Sequence, residues 1–179
     1  NNLNATPEIS MKAIRTINEQ GAGQGPNGMP RFLPGINLIY ALIGENKTTH
    51  EKNLSFLEGV IAQGYLLRRI NIRQVVAFPG TQLYQEGRNK FIRKNQRHYY
   101  QWRNEIRQKV DVPMLEKVFP IGTIIRNVLL EIYDGKTTFG RQLATYPVVI
   151  GVKGRHPLRT FCDVRITGHM KRSLIAQMI

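Results

Sequence analysis

The stretches Asn37-Leu38-Ile39-Tyr40-Ala41-Leu42-Ile43-Gly44-Glu45 and Ile70-Asn71-Ile72-Arg73-Gln74-Val75-Val76-Ala77-Phe78-Pro79-Gly80-Thr81 decide how this chain folds. The near-continuous apolar run over 36–43 reads as a buried parallel strand. The second strand is expected over 66–78, with Asn71 and Arg73 facing away from Ile70 and Ile72. Between them, Thr48 and Glu51 have the spacing of a capping box, Leu54, Leu57, Val60 and Ile61 share one helical face, and Gly64 supplies the stop. Strand, helix, strand implies a right-handed crossover and a parallel sheet. Parallel strands point the same way, so the turns Gly44-Glu45 and Pro79-Gly80-Thr81 fall on one rim, the usual ligand side of α/β folds. Read singly, either turn is equally a tight connection. A sheet with so few strands exposes an edge that invites pairing with another chain, a possible route to an oligomer.

Working outward, Thr6-Pro7-Glu8 combines an N-cap residue, a proline for the first helical position and an early acid, so a helix starts there. Ala13, Ile14 and Ile17 form its apolar stripe and Gly21 its stop. Residues 21–35, dense in glycine and proline, read as a long loop that is functional or disordered. From 84 to 110 the period is helical. Phe91, Tyr99, Trp102, Ile106 and Val110 form one broad face, and Arg88, Lys90, Arg93, Lys94, Arg97, Arg103, Arg107 and Lys109 fill the rest. Beyond Pro120-Ile121-Gly122 the texture is all-β, with strands expected at 123–133, 137–144, 148–152, 160–167 and 173–178 and a strong turn signal at Asp134-Gly135. Short strands at this spacing suit a small barrel of the OB type, a class that often binds single-stranded nucleic acid. The expected fold class is thus α/β plus all-β: an α/β part at 1–83, a basic linker helix at 84–116 and a small β-barrel at 117–179.

The 26 Lys+Arg against 12 Asp+Glu leave a formal net charge of +14, which favours a polyanionic partner or an anionic surface. The excess is uneven: +3 over 1–83, +5 over 84–111 and +7 over 117–179. No apolar stretch approaches the ~20 residues of a spanning helix, and no signal-peptide pattern is present. One cysteine excludes an internal disulfide framework and a multi-cysteine metal site within these residues, and it fits a reducing cytoplasm. The start Asn1-Asn2-Leu3, without an initiator Met, reads as part of a longer protein.

Among chemistry-bearing residues, Cys162 reads as a small buried hydrophobe. His50 falls in the first turn of a capped helix, and His98, His156 and His169 lack metal-ligand spacing. The scattered Ser, His and Asp residues carry no nucleophile motif. Asn71 and Arg73 either line a lumen or, for Arg73, form an interior salt bridge. The basic helix is either a solvated face or a phosphate-binding one, with Arg93, Lys94 and Arg97 as its candidates. Lys136, Arg141, Lys153, Arg155, Lys171 and Arg172 lie in or beside expected barrel loops, where they can contact RNA phosphates. Tyr146 and Phe139 suit either the barrel core or a base-stacking platform.

Leu38-Ile39-Tyr40 with Gly44-Glu45, then 73–76 and Pro79-Gly80-Thr81, resembles the last third of a radical S-adenosylmethionine (SAM) barrel. Residues 121–176, through Gly122, Val128-Leu129-Leu130-Glu131, Gly140-Arg141, Tyr146, Val148, Asp163-Val164-Arg165-Ile166-Thr167 and Leu174, resemble a TRAM domain, the RNA-binding barrel of radical SAM methylthiotransferases. Arg68-Arg69-Ile70-Asn71-Ile72-Arg73-Gln74 and Thr137-Thr138-Phe139-Gly140-Arg141 are most similar to archaeal iron-sulfur oxidoreductases of that superfamily. The resemblance implies the C-terminal half of such an enzyme, with SAM and a four-iron four-sulfur cluster in the full-length protein and none bound in this stretch, which lacks the CxxxCxxC motif. It further implies a cofactor-facing set of Asn37, Leu38, Ile39, Asn71, Arg73, Ala77 and Phe78. Where the family has Asp-Leu-Ile-x-Gly-x-Pro-Gly, this chain has Asn37, Ala41 and Ile43. Ala41 is the larger departure, because glycine there lets a ligand approach the strand.

Three functions follow as expectations. The first is the C-terminal part of a radical SAM enzyme that modifies RNA, tRNA in particular, with the barrel holding the substrate, and not catalytic without the N-terminal half of the same protein. The second is a non-catalytic RNA-binding module. The third is an enzyme of the same class acting on a protein or small molecule, with the basic surface aiding solubility or docking. None involves a membrane.

Overall fold

The computed structural model describes residues 5–87 and 89–179. Asn1-Asn2-Leu3 and Arg88 lie outside the described residues. Helix α1 (Pro7–Gly21) begins at Thr6, whose hydroxyl accepts from the Ile9 amide at 3.3 Å, a cap of about 1 kcal/mol. Of its expected stripe, Ile14 is buried, whereas Ala13 is exposed. Gly21 closes the helix by tight packing: a Cβ there would strike the carbonyl and ring of Phe32.

Strands β1 (Ile36–Tyr40) and β2 (Ile70–Gln74) pair in parallel, Asn37 opposite Asn71 and Ile39 opposite Arg73, with helix α2 (Lys47–Ala62) between them in sequence. Both strands are shorter than the apolar runs announce. The run is also not buried on both sides: Tyr40 and Ile70 pack inward, while Asn37, Ile39 and Arg73 stand exposed on the opposite face. Period-2 alternation in a sheet covered on one side explains this. The cap of α2 is Asn46 with Thr49, each side chain bonded to the other's backbone amide, rather than Thr48 with Glu51.

The basic segment is not one rod between two bodies. It comprises α3 (Gln82–Gly87), α4 (Lys90–Ile106), a π-helical turn Arg107–Asp111 and α5 (Val112–Val118), with Pro113 accommodated in the first turn of α5. Tyr99, Trp102, Ile106, Val110, Met114 and Leu115 belong to the buried core, and the Tyr99 hydroxyl donates to the Ile72 carbonyl of β2 at 3.2 Å. These helices are therefore the layer that covers the inner face of the sheet.

Strands β3 (Ile124–Asp134), β4 (Thr137–Gln142), β5 (Val149–Lys153), β6 (Phe161–His169) and β7 (Ser173–Met178) form a closed barrel in the order β3-β4-β5-β7-β6. All neighbours are antiparallel except β5 with β7. Val128, Leu130, Ile150, Val152, Val164, Ile166 and Leu174 fill the interior. The glycine-rich loop joins the two halves. Its tip folds through the Gly25 amide on the Met29 carbonyl (2.7 Å), buries Met29 and offers the Asn27 carbonyl to the Arg126 amide (3.1 Å) and the Gln142 side chain (3.2 Å). Gly28, at φ +80°, lies so close to the Ile124 carbonyl that no Cβ fits. The loop is thus held in one conformation, docked on the barrel.

Candidate functional site

The first glycine turn is organised by Glu45, which folds back into the protein rather than facing a ligand. Its carboxylate accepts from the Ala41 amide at 2.8 Å and from the Asn95 side chain of α4 at 3.1 Å, at 4% exposure. Burial pushes the Glu45 carboxyl up, partly opposed by the backbone donors at Ala41 and Leu42. Ala41 is held at φ +71°, a left-handed conformation costly for a residue with a Cβ. The local geometry thus accounts for glycine at this position in the resembled pattern without invoking a ligand.

Beside the turn a chain of polar groups runs from the buried Tyr40 and His50 out to the exposed Lys109. The Tyr40 hydroxyl meets His50 Nδ1 at 2.9 Å, His50 Nε2 meets Glu105 at 3.1 Å, and Lys109 donates to Glu105 at 2.8 Å. The His50 ring stacks on Trp102 at 5.0 Å between centroids. Burial and the nearby Glu45 push the Tyr40 phenol up, which keeps it a donor, while Lys109 and His50 hold the Glu105 carboxyl low. Tyr40 at 1% and His50 at 3% exposure are closed to substrate, so the chain ties β1 to α2 and α4.

Asn37, Ile39, Asn71 and Arg73 of the expected cofactor-facing set share the open face of the sheet, and Asn71 donates to Asn37 at 2.9 Å. Leu38 does not join them; it faces the helices and packs against the core. Ala77 and Phe78 follow the end of β2, with Phe78 62% exposed. None of these residues lines the concavity at Arg68, Asp111 and Tyr146 or the one at Pro7, Met11 and Phe56. Gly44 and Gly80 both have positive φ with open space where a Cβ would stand, as free turns require. Among the described residues no group of three His, Cys, Asp or Glu can hold a metal, and Cys162 sits half-buried in the barrel. These residues do not fit an iron-sulfur cluster.

The nine expected RNA-binding cations separate into groups. Arg93, Lys94 and Arg97 stand exposed on α4. Lys136, Lys153 and Arg155 gather where the β3–β4 turn meets the end of β5, with the Arg155 guanidinium 5.1 Å from the Tyr133 ring centroid and bonded to the Gly135 carbonyl. Lys171 and Arg172 occupy the β6–β7 turn, beside the start of β5. Arg141 is already engaged: its Nε and Nη2 grip Glu131 at 2.8 and 3.1 Å. Phe139 and Tyr146 are half-buried and buried, and Tyr146 packs against Phe119 at 5.6 Å.

Sequence reasoning missed a cleft of about 290 Å³ between the two halves. Arg68 and Arg69, on the approach to β2, face it together with Asp111 of the π-helical turn, Tyr146, Lys171 and Arg172. The Arg68-Arg69 doublet was the available signal, but nothing local places it opposite Lys171-Arg172.

No protein-family profile matches the chain. It is similar to a protein of Archaeoglobus fulgidus, 43% identical over 176 residues and covering 98% of this chain, and to one of Methanocaldococcus jannaschii, 36% identical over 181 residues and covering 100%. Both relatives are described only as uncharacterised proteins. This chain spans 33% of the length of each. Among the described residues no helix is long and apolar enough to cross a membrane.

Proposed function

We propose that this chain is the RNA-recognising part of a longer cytoplasmic enzyme and is not catalytic alone. The observation that carries the reading is the state of its cations: Arg93, Lys94, Lys136 and Lys153 are exposed and have no ion-pair partner among the described residues. A surface built for stability alone gains little from such unpaired charge, whereas phosphates of a polyanion neutralise it with release of counterions. The closed barrel supports the same reading, because its strand order is that of OB-type barrels, whose β1–β2 and β4–β5 loops bind oligonucleotides. Those loops correspond here to the turns bearing Lys136 and Lys171-Arg172.

The resemblance to radical SAM enzymes with a TRAM domain supports RNA modification by the whole protein. In that reading SAM and the cluster are held by residues outside these 179, and Asn37, Ile39, Asn71 and Arg73 form part of the wall facing them. The test is fluorescence-anisotropy titration of the full-length protein with single-stranded and transfer RNA over a salt series. Five phosphate contacts would give log affinity against log salt a slope of about −3.5 on a single strand. The combined replacement of Arg93, Lys94, Lys136 and Lys153 by Ala is expected to flatten that slope by about 3. An affinity indifferent to salt would remove the proposal.

A further inference from the structure

We propose that the cleft between the sheet-and-helix half and the barrel is a binding pocket for one phosphorylated nucleotide unit, with the phosphate at its cationic mouth and the base inside. The inference rests on the RNA-binding reading but assigns a site that the barrel loops alone do not make.

The mouth carries four cations drawn from both halves: Arg68 and Arg69 from one, Lys171 and Arg172 from the other. Among the described residues none of these side chains forms an ion pair or a side-chain hydrogen bond. One carboxylate, Asp111, lies within the electrostatic reach of Arg172, Arg107 and Arg69 but forms no ion pair with them, so four clustered cations keep a net positive charge that attracts an anion, and arginine forks in particular suit a phosphate. The interior differs in character. It is floored by Leu67, Val110 and Met114, with two polar groups left incomplete. Asp111 Oδ1 accepts from the Ile70 amide at 3.1 Å, whereas Oδ2 is buried with no partner. The Tyr146 hydroxyl has no hydrogen-bond partner among the described residues, and burial pushes it up to about 12, so it remains a donor. Buried polar atoms in native proteins are nearly always satisfied, so the unpaired Asp111 oxygen, beside a phenol whose hydroxyl is open to the cleft, points to a ligand with its own hydrogen-bonding edge.

Size narrows the choice. About 290 Å³ lies at the small end of ligand sites and accommodates one flat ring system with its phosphate, not a duplex. An inorganic phosphate would occupy the mouth and leave the interior unfilled. A nucleobase presents amino and imino donors and ring acceptors on one edge, the complement of Asp111 and Tyr146, and it lies readily on an apolar floor.

The test uses the full-length protein and three probes: a fluorescein-labelled single-stranded 12-mer RNA, the four nucleoside 5′-monophosphates and inorganic phosphate. The double variant Arg69→Ala/Arg172→Ala is expected to weaken the 12-mer at least tenfold and to flatten its salt slope by about 0.7, the contribution of the one phosphate held at the mouth. Tyr146→Phe, which preserves packing against Phe119, is expected to change the ranking of the four nucleotides at an unchanged slope. Thermal melts confirm that each variant folds. A free nucleotide that binds as tightly as the 12-mer, and is lost in the double variant, assigns the pocket to a free nucleotide. If the 12-mer binds and weakens only on replacing Arg93 and Lys94, the surface reading stands and the pocket is overturned. If no RNA binds but a nucleotide does, the surface reading fails and the pocket stands. Inorganic phosphate competing as well as the nucleotides overturns the base site.

Discussion

The sheet half and the barrel solve the same problem in opposite ways. The barrel closes on itself, so every strand has two neighbours and no backbone edge is left open. The sheet has two strands, and among the described residues the outer edge of each is unpaired. Two strands are marginal alone, and β1 and β2 persist because helices cover one face and buried polar groups pin their ends. Among the described residues Glu45, His50, Asn95 and Asp111 are all buried in the sheet half, whereas the barrel half buries no charged side chain and only Thr138, Gln142 and Tyr146 among those with polar groups. A region without enough strands to bury its own backbone relies on directed hydrogen bonds, and each is costly to lose.

Replacing Gly28 attacks the link between the two regions. Gly28→Ala forces a Cβ into the Ile124 carbonyl at a left-handed φ, and we expect a loss of about 3 kcal/mol, or roughly 6–12 °C in melting temperature. The sole tryptophan, Trp102, reports only the sheet half. Its fluorescence melt and the far-ultraviolet circular dichroism melt should coincide in the native protein and separate in the variant. Coincident melts in both would mean that the loop is not the coupling element.

Glu45→Ala tests the pinned turn. It leaves the Ala41 amide and the Asn95 side chain without their acceptor, for a loss of about 2 kcal/mol by urea unfolding. Replacing exposed Glu51, which pairs with Lys47 at 3.3 Å, should change stability by less than about 0.5 kcal/mol. Equal losses would erase the contrast between buried and exposed carboxylates. Ala41→Gly should act in the other direction, stabilising by about 0.5–1 kcal/mol through relief of the positive φ.

The smallest effect concerns pH. Burial raises the carboxyls of Glu45 and Asp111 above their ordinary 4.5 and 3.8, so between those values and the folded ones the native state holds more protons than the unfolded chain. Stability should therefore decline as pH rises from about 4 through the raised folded values and then level off. Asp111→Asn should reduce that decline in urea titrations run at a series of pH values. An unchanged profile would show that Asp111 contributes no linkage.

Much of the barrel was legible because alternation is a local signal: all five expected strands formed, most ends shifting by one or two residues. The Thr6 cap and the apolar face of the basic helix were legible for the same reason. The α2 cap was misplaced because Asn46, Thr48 and Thr49 are all competent caps within one turn and only the backbone chooses among them. Strand ends were overextended at 41–43 and 75–78 because an apolar composition does not reveal where pairing stops. The dense charge of 84–116 suggested a linker, yet its apolar face covers the sheet.

By itself, then, the sequence determined the two fold types, the parallel order of β1 and β2, the barrel strands and the cationic character of α4 and the barrel. These depend on periodicity, capping and charge, which residues carry wherever they lie. Tertiary structure alone decided that Glu45 turns inward, that the glycine-rich loop clamps the barrel through Asn27 and Gln142, 115 residues apart, and that Arg68-Arg69 face Lys171-Arg172 across one cleft. Each of those facts is a meeting of distant segments, set by how two cores share a boundary rather than by any local preference of the chain.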